Sequence, residues 1–575
     1  MLLFKRIYFI LLLQLVVLPY SHIKASTTCS EIAYLHTDRT VYIAGESIYY
    51  KLYVLDAATK KCSVMSKVGY VVLRAANSAP SLKIRVKIDA GMANGSFLIP
   101  DTLASGVYQI IAFTSAMKNL GEENFFHNEI TIVNRFDKAL DFKLINSSSK
   151  DSSLSQIQEL NPIIRTDKVV YGMRQKVTVD IGKISSKANV SVSVFEDSPI
   201  PSTYKSIAEY LNFSSTTRNS KPPVLNYYFP ETKGKILRGS VVDSKTKQTV
   251  KDAIVLLSCV DTIPNLQYAV TNSDGLFQLL LNDYYNGKEL FLTIKDAPED
   301  QSWQIKIEDE FAQSKDWNPS LISEIGVSKD FIGKSQNIVY INKSYHLTND
   351  IDKQVIETKS ICPLFYNCPV TTLLLSDFVP LDNFSEIVVE LLPQVIINKE
   401  KGKSQIQMFS YLTKSFQNEI PAIFLDGVYV DDINKIMELG SEQIKKIELI
   451  SEKRAFGNLV FDGVISFTSK TNEIINSIPA SYSLQFKNDN ENTGGKPIAY
   501  DPNTLQNKNV PFIRQLLYWN PNMELSGTDD TKFEFYTSDN LAKFSIKVEG
   551  ITEDGTPVSA SSRIEVTNQI NVTDK

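Results

Sequence analysis

The 575 residues hold 60 Lys and Arg against 65 Asp and Glu, a formal charge of −5, so the chain lacks the basic footprint that a nucleic-acid backbone demands. With 43% apolar and 22% charged residues it is ordinary globular protein with room for several domains. Four His in the whole chain leave little material for metal or acid–base chemistry, while 26 Tyr and 29 Phe beside 3 Trp favour β structure.

At the N-terminus Lys5 and Arg6 precede an apolar core, Ile7 to Leu18, and Ala25 offers a cleavage position. A core of about 12 residues is too short to span a bilayer comfortably, so residues 1–25 read as a cleaved signal peptide, with a retained anchor as the alternative. Ser26-Thr27-Thr28 before Cys29 lack an apolar lipobox, which speaks against a lipoprotein. In an exported chain Cys29 with Cys62 and Cys362 with Cys368 are candidate disulfides, leaving Cys259 as a buried strand thiol. The alternative is that some of these are small core residues. Neither pair has zinc-finger spacing with accompanying histidines.

From Glu31 to Arg135 the pattern is all-β. Ser47–Val54, Val68–Leu73, Leu82–Ile88 and Val107–Phe113 are predicted strands, separated by predicted turns at Ala44-Gly45, Asn94-Gly95 and Ser105-Gly106. Strands at this spacing predict a sandwich. The run Tyr34-Leu35-His36-Thr37-Asp38-Arg39, then Val41-Tyr42 and Gly45-Glu46, resembles the second macroglobulin-like (MG2) domain of the α2-macroglobulin family. Phe97, Ile99-Pro100, Gly106, Tyr108 and Ala112-Phe113-Thr114 fit the same pattern. Thr37-Asp38-Arg39-Thr40-Val41-Tyr42 recurs as Thr166-Asp167-Lys168-Val169-Val170-Tyr171 beyond a Ser-rich linker, Ser147–Ser155. Strands Lys176–Ile181 and Val190–Phe195 follow; this second sandwich is short and is expected to borrow strands from later sequence.

A third β unit starts near Lys233. Gly239, Val241-Val242-Asp243, Ala253, Val255 and Leu257, then Thr271-Asn272, Asp274-Gly275 and Phe277, resemble the carboxypeptidase-regulatory-like sandwich, an accessory fold without a peptidase site. Asp274-Gly275 is its hairpin turn and Trp303–Ile307 its last strand. Between 310 and 360 the pattern gives no helix or strand.

Ala422–Leu425 and Val428-Tyr429-Val430 flank Asp426-Gly427, a pair that tolerates the positive φ of a tight hairpin. A helical turn from Ile433 to Leu439, a second short helix N-capped by Ser441, a strand Ile447–Ile450, a turn at Ala455-Phe456-Gly457 and a strand Gly463–Thr468 complete a small α+β module. Phe424–Val428, Ile444–Ile450 and Gly457–Ile465 resemble the plug domain of TonB-dependent outer-membrane receptors, with Asp426, Gly427, Gly457 and Gly463 as the motif residues. The receptor's barrel is missing: roughly 100 residues follow Lys470, whereas 22 strands at about 10 residues each need over 200. The tail, Ile513 to Val566, returns to β with Lys532–Tyr536, Ala542–Val548 and an Asp554-Gly555 turn, and predicts an Ig-like sandwich completed by earlier strands.

The fold class is therefore mainly β, a string of Ig-like and macroglobulin-like sandwiches with one small α+β plug-like domain. The units are a signal peptide (1–25), a macroglobulin-like sandwich (26–137), a second one (138–230), the regulatory-like sandwich (231–310), a connecting region (311–400), the plug-like domain (401–475) and a C-terminal Ig-like domain (476–575).

No Gly-x-Ser-x-Gly elbow, no His-Glu-x-x-His and no Cys-x-Glu-Gln of a thioester trap appears. Asp426, Asp431 and Asp432 read as turn and cap groups before a calcium site, and His36 as a packing or surface residue. Lys399–Lys403 reads as a solvated linker, with contact to acidic lipid headgroups as the alternative. Tyr49, Tyr50, Tyr53, Phe533, Phe535 and Tyr536 read as core filling before a carbohydrate platform. No catalytic, cofactor-binding or metal-binding residue stands out, and no cofactor is expected.

The order of units resembles that of large envelope proteins of Gram-negative bacteria. This resemblance implies an exported, non-enzymatic protein of the periplasm or outer membrane that binds a barrel or other envelope protein, with a peripheral membrane contact left open and no nucleic acid. The alternatives are a divergent TonB-dependent receptor component acting in import, for which no TonB box is seen, and a macroglobulin-like protease inhibitor without thioester.

Overall fold

Eight strands build the first sandwich. They are β1 (Glu31–Thr37), β2 (Val41–Ile43), β3 (Ser47–Asp56), β4 (Val68–Ala75), β5 (Pro80–Lys87), β6 (Met92–Leu98), β7 (Gly106–Thr114) and β8 (Phe126–Val133). The sheet β1-β3-β6 packs on the sheet β2-β8-β7-β4-β5, and Leu35, Leu52, Val71 and Ala112 fill the space between them. Asn94-Gly95 lies inside β6, and the turn before it is Ala90-Gly91, at φ 47 and 77. The computed structural model describes residues 31–75, 80–134, 136–137, 162–198, 204–217, 228–261, 264–297, 302–311, 329–344, 371–400, 403–431, 433–471, 474, 483–487, 498–504 and 510–568.

The second sandwich begins with β9 (Ile164–Thr166), β10 (Val170–Tyr171), β11 (Lys176–Ile181) and β12 (Ala188–Glu196). A helix, α1 (Ile207–Thr217), follows and buries Ile207 and Leu211 in a cluster with Tyr34 and Phe126 of the first sandwich. The third sandwich holds β13 (Lys235–Asp243), β14 (Ile254–Cys259), β15 (Gln267–Val270), β16 (Leu276–Leu281), β17 (Glu289–Lys295) and β18 (Trp303–Ile307). Its sheets are β16-β13-β18 and β15-β14-β17, and Gly275 sits at φ 72 in the Asp274-Gly275 turn.

Helix α2 (Lys329–Ser344) falls in the stretch whose sequence gave no pattern. The α+β module follows: β19 (Thr371–Leu374), α3 (Phe384–Leu391), β20 (Val395–Glu400), β21 (Lys403–Ser410), β22 (Ser415–Phe416), β23 (Ala422–Leu425), β24 (Val428–Tyr429), β25 (Ile444–Ile450), β26 (Arg454–Phe456), β27 (Leu459–Phe461) and β28 (Val464–Ser469). Its main sheet runs β19-β25-β28-β23-β24, with β23 parallel to β28, so the module starts near residue 371 rather than 401. Lys399 and Lys403 belong to the β20–β21 hairpin and not to a linker. The short helix expected after Ser441 is absent; Ile447 and Leu449 instead alternate inward along β25, and a register shift between Ile444 and Lys446 lets Ile444 be buried as well.

The remaining strands return to earlier units. β29 (Ser483–Lys487) adds to β17 of the third sandwich. β30 (Ile498–Ala499), β31 (Leu516–Leu525), β32 (Thr531–Tyr536), β33 (Lys543–Thr552) and β34 (Pro557–Val566) complete the second one. Its sheets are β9-β11-β32 and β10-β34-β33-β12-β31-β30. Read strand for strand, this is the first sandwich again: β10-β34-β33-β12-β31 repeats β2-β8-β7-β4-β5, and β9-β11-β32 repeats β1-β3-β6. The tail is thus the second half of the second sandwich, not a domain of its own. The third sandwich and the α+β module are inserted between β12 and β31, where the first sandwich has only the β4–β5 hairpin.

Candidate functional site

The repeated sequence signature folds into the same corner twice. Asp38 Oδ1 accepts from the Tyr42 hydroxyl at 2.9 Å and from the Tyr49 amide at 2.9 Å. Asp167 Oδ1 accepts from the Tyr171 hydroxyl at 2.9 Å and the Thr178 amide at 2.8 Å. The residue five after each Asp donates its amide to the side chain eight after it: Ile43 to Glu46, and Gly172 to Gln175, each at 2.8 Å. The signature therefore encodes a strand corner that ties a short edge strand to the next long strand. In the first copy burial raises the Asp38 pKa to about 6 against the Arg39 charge.

The two like-folded sandwiches meet through a buried polar seam. The outer face of β12, Ser191 and Ser193, is fully buried because it lies against the first sandwich and not in water. His36 Nδ1 lies 2.7 Å from Ser191 Oγ, which also donates to the Glu549 carbonyl at 3.1 Å. Burial, with the Lys547 and Lys51 charges, lowers the His36 pKa to about 3. The pair has the residue types of a nucleophile and its base, but both are 0% exposed, so no substrate reaches them. Lys51 Nζ donates to Asn189 Oδ1 at 2.5 Å, Pro521 O at 2.7 Å and Asn522 Oδ1 at 2.6 Å. Three acceptors satisfy three ammonium protons, while burial lowers the Lys51 pKa to about 7.

A cleft of about 390 Å³ separates the first and third sandwiches. The segment after β18 crosses it: Asp309 pairs with Lys83 at 2.6 Å, and Glu310 pairs with Arg85 at 3.1 Å and with Lys235. Arg238 and Lys118 stack on the Tyr228 ring at 4.3 and 5.0 Å. Glu231, 1% exposed, accepts from the Tyr70 hydroxyl with both oxygens and from the Ile236 amide at 2.7 Å. Burial raises its pKa to about 7. With these charges answering one another across the gap, the cleft acts as a clamp between two sandwiches.

Three of the four motif residues of the α+β module, Asp426, Gly427 and Gly457, hold it onto the third sandwich. Asp426, 3% exposed, accepts from Ser469 N and Oγ at 2.8 and 2.6 Å, and its carbonyl accepts the Asp261 amide at 2.9 Å. Asp426 and Gly427 have φ of 49 and 82, as the hairpin turn requires. A Cβ on Gly427 would stand 2.7 Å from Asp261 O, and one on Gly457 would stand 2.2 Å from the Tyr268 hydroxyl. Gly463, at φ 110, keeps clear of Met408 within the module. Leu256 and Leu266 share a buried cluster with Ala422, Phe424, Ile450 and Phe461, so the two units have a continuous core.

Elsewhere the module stays open. Leu374, Phe378, Val379 and Val389 are 42%, 43%, 78% and 79% exposed around the edge strand and α3. Tyr411 and Leu412, 61% and 82% exposed, project from a loop whose amides Glu452 accepts. Sequence reading missed both groups, because exposure of an apolar residue depends on what fails to cover it.

Of the candidate disulfide residues, Cys29, Cys362 and Cys368 lie outside the described residues, and Cys62 is half-buried. Cys259 is buried in β14. Asp432 also lies outside the described residues. Among the described residues no group of His, Cys, Asp and Glu could hold a metal ion, and no helix is long and apolar enough to cross a membrane. Tyr50, Tyr53, Phe533 and Phe535 are core residues; Tyr49 and Tyr536 are half-buried.

No protein-family model and no curated protein matches the chain. Among solved structures it is similar to Salmonella alpha-2-macroglobulin reacted with methylamine, at 7% identity and TM-score 0.24, over 94% of this chain and 39% of that one. Escherichia coli alpha-2-macroglobulin activated by porcine elastase gives 9% identity and TM-score 0.24, over 94% and 44%. The Yersinia pseudotuberculosis adhesin InvE gives 10% and 0.12, over 48% and 58%. The chain thus spans less than half the length of these macroglobulins.

Proposed function

We propose that this chain is a non-enzymatic binding and assembly protein of the cell envelope, in which three clamped β-sandwiches hold an α+β plug-like module out for contact with an outer-membrane barrel or another envelope protein. The observation that carries this reading is the module's one-sided attachment. Its turn at Asp426-Gly427 and its Gly457 hairpin are packed into the third sandwich, while Leu374, Phe378, Val379 and Val389 face outward. Patches of this kind, rimmed by polar residues, mark association surfaces. A plug-like fold presented in this way then acts by recognition.

Affinity purification of the tagged full chain from detergent-solubilised envelopes tests the reading. It expects a discrete outer-membrane protein in fixed proportion to the chain. Recovery of the chain alone from the soluble periplasmic fraction would overturn it.

A further inference from the structure

We propose that the outward face of α3, with the loop that leads into it from β19, is a docking surface for a basic, apolar segment of a protein partner; this rests on the docking reading above and names the chemistry of what docks. The stretch 371–392 carries Asp377, Asp382, Glu386 and Glu390 and no Lys or Arg. All four carboxylates are exposed, beside Phe378, Val379 and Val389. The acidic character extends across the neighbouring loop. Ser441 N donates to Leu381 O at 2.9 Å and Phe384 N to Met437 O at 3.1 Å, which brings exposed Glu438 and Glu442 to the start of α3. Among the described side chains three lysines stand against these six carboxylates: Lys445, exposed on β25, Lys446, paired with Glu448 at 2.9 Å, and exposed Lys470, whose amide donates to Gln443 O at 2.8 Å.

The surface is also preformed. Asn383 caps α3 by accepting the Glu386 amide at 3.0 Å, and Glu386 accepts the Asp382 amide in return at 3.0 Å. Phe384 anchors the helix edge-on to Phe467 at 5.0 Å. A partner segment laid on this face finds apolar contacts flanked by negative charge, so lysine or arginine beside large apolar side chains is the complement. The same negative charge disfavours an anionic lipid surface.

A photo-crosslinking residue in place of Val389 in the full chain, expressed in its own envelope, tests this, with the adduct sequenced by mass spectrometry. The inference expects a crosslinked protein segment rich in Lys or Arg and large apolar residues. It also expects the adduct to fall at least tenfold in a Glu386→Gln, Glu390→Gln background that keeps the wild-type melting temperature. An adduct to an acidic or uncharged segment of an envelope protein overturns the inference and leaves the docking function standing. Adducts to lipid, or to no protein at all, overturn both.

Discussion

Asp38 and Asp167 make the same bonds in unlike settings, and the difference has a measurable consequence. Tyr42→Phe leaves a fully buried carboxylate short of a donor, so it is expected to cost about 2 kcal/mol in urea unfolding. Tyr171→Phe removes the same bond where Asp167 also meets solvent, and is expected to cost about 1 kcal/mol or less. Equal losses would count against burial as the cause. Glu231 supplies a pH test. Its folded pKa is raised to about 7, so its contribution to stability is present in full below about pH 4.5 and is lost as pH rises through 7. Thermal melts should show Glu231→Gln removing a decline of about 3 kcal/mol across that window, with wild type and variant converging at low pH. The Asp and Tyr of the corner were legible because the motif is local and repeated. The burial of His36, Ser191 and Ser193 was not, because alternation along β12 marks a second face without saying whether water or another domain covers it.

At the scale of elements, hairpin turns gave the clearest signal and short helices the poorest. Asp426-Gly427 and Asp274-Gly275 turn as their residue chemistry dictates. Asn94-Gly95 does not, since Ala90-Gly91 makes the turn that carries the chain from β5 into the other sheet as β6 and leaves Gly95 within a strand opposite Tyr50. Ser441 could cap a helix, but Ile444, Ile447 and Leu449 bury more by joining the sheet against Phe467 and Ile465. The junction of module and third sandwich gives a paired prediction. Gly427→Ala puts a Cβ against Asp261 O at positive φ and is expected to destabilise by about 1–3 kcal/mol. Limited proteolysis should then cut first between residues 400 and 470. Gly333, in α2, has nothing within 4 Å of a built Cβ, so Gly333→Ala should leave stability unchanged or raise it by up to about 1 kcal/mol.

For the whole molecule, the second sandwich depends on strands more than 300 residues apart: Ala188 sits opposite Leu525 and Thr552. A chain ending at residue 504 removes β31 to β34 and should expose the amides of β9 to β12 to rapid hydrogen exchange, while the first and third sandwiches keep their protection. In refolding, β10 to β12 should gain protection last, because their pairings with the tail strands close the longest loops. Retained protection in 164–196 without the tail would contradict the shared sandwich. The sequence showed that both halves were incomplete but not that they completed one another, since strand order in a sheet is set by pairing and not by position along the chain.

The inserted pair of units leaves and rejoins its host through neighbouring antiparallel strands, with Phe195 opposite Leu516. Host and guest therefore meet at a single doorway. A short turn grafted across that doorway should yield a free-standing second sandwich, and another recognition head spliced into the same place should be carried without redesign of its bearer. The architecture works as a holder with an exchangeable tip.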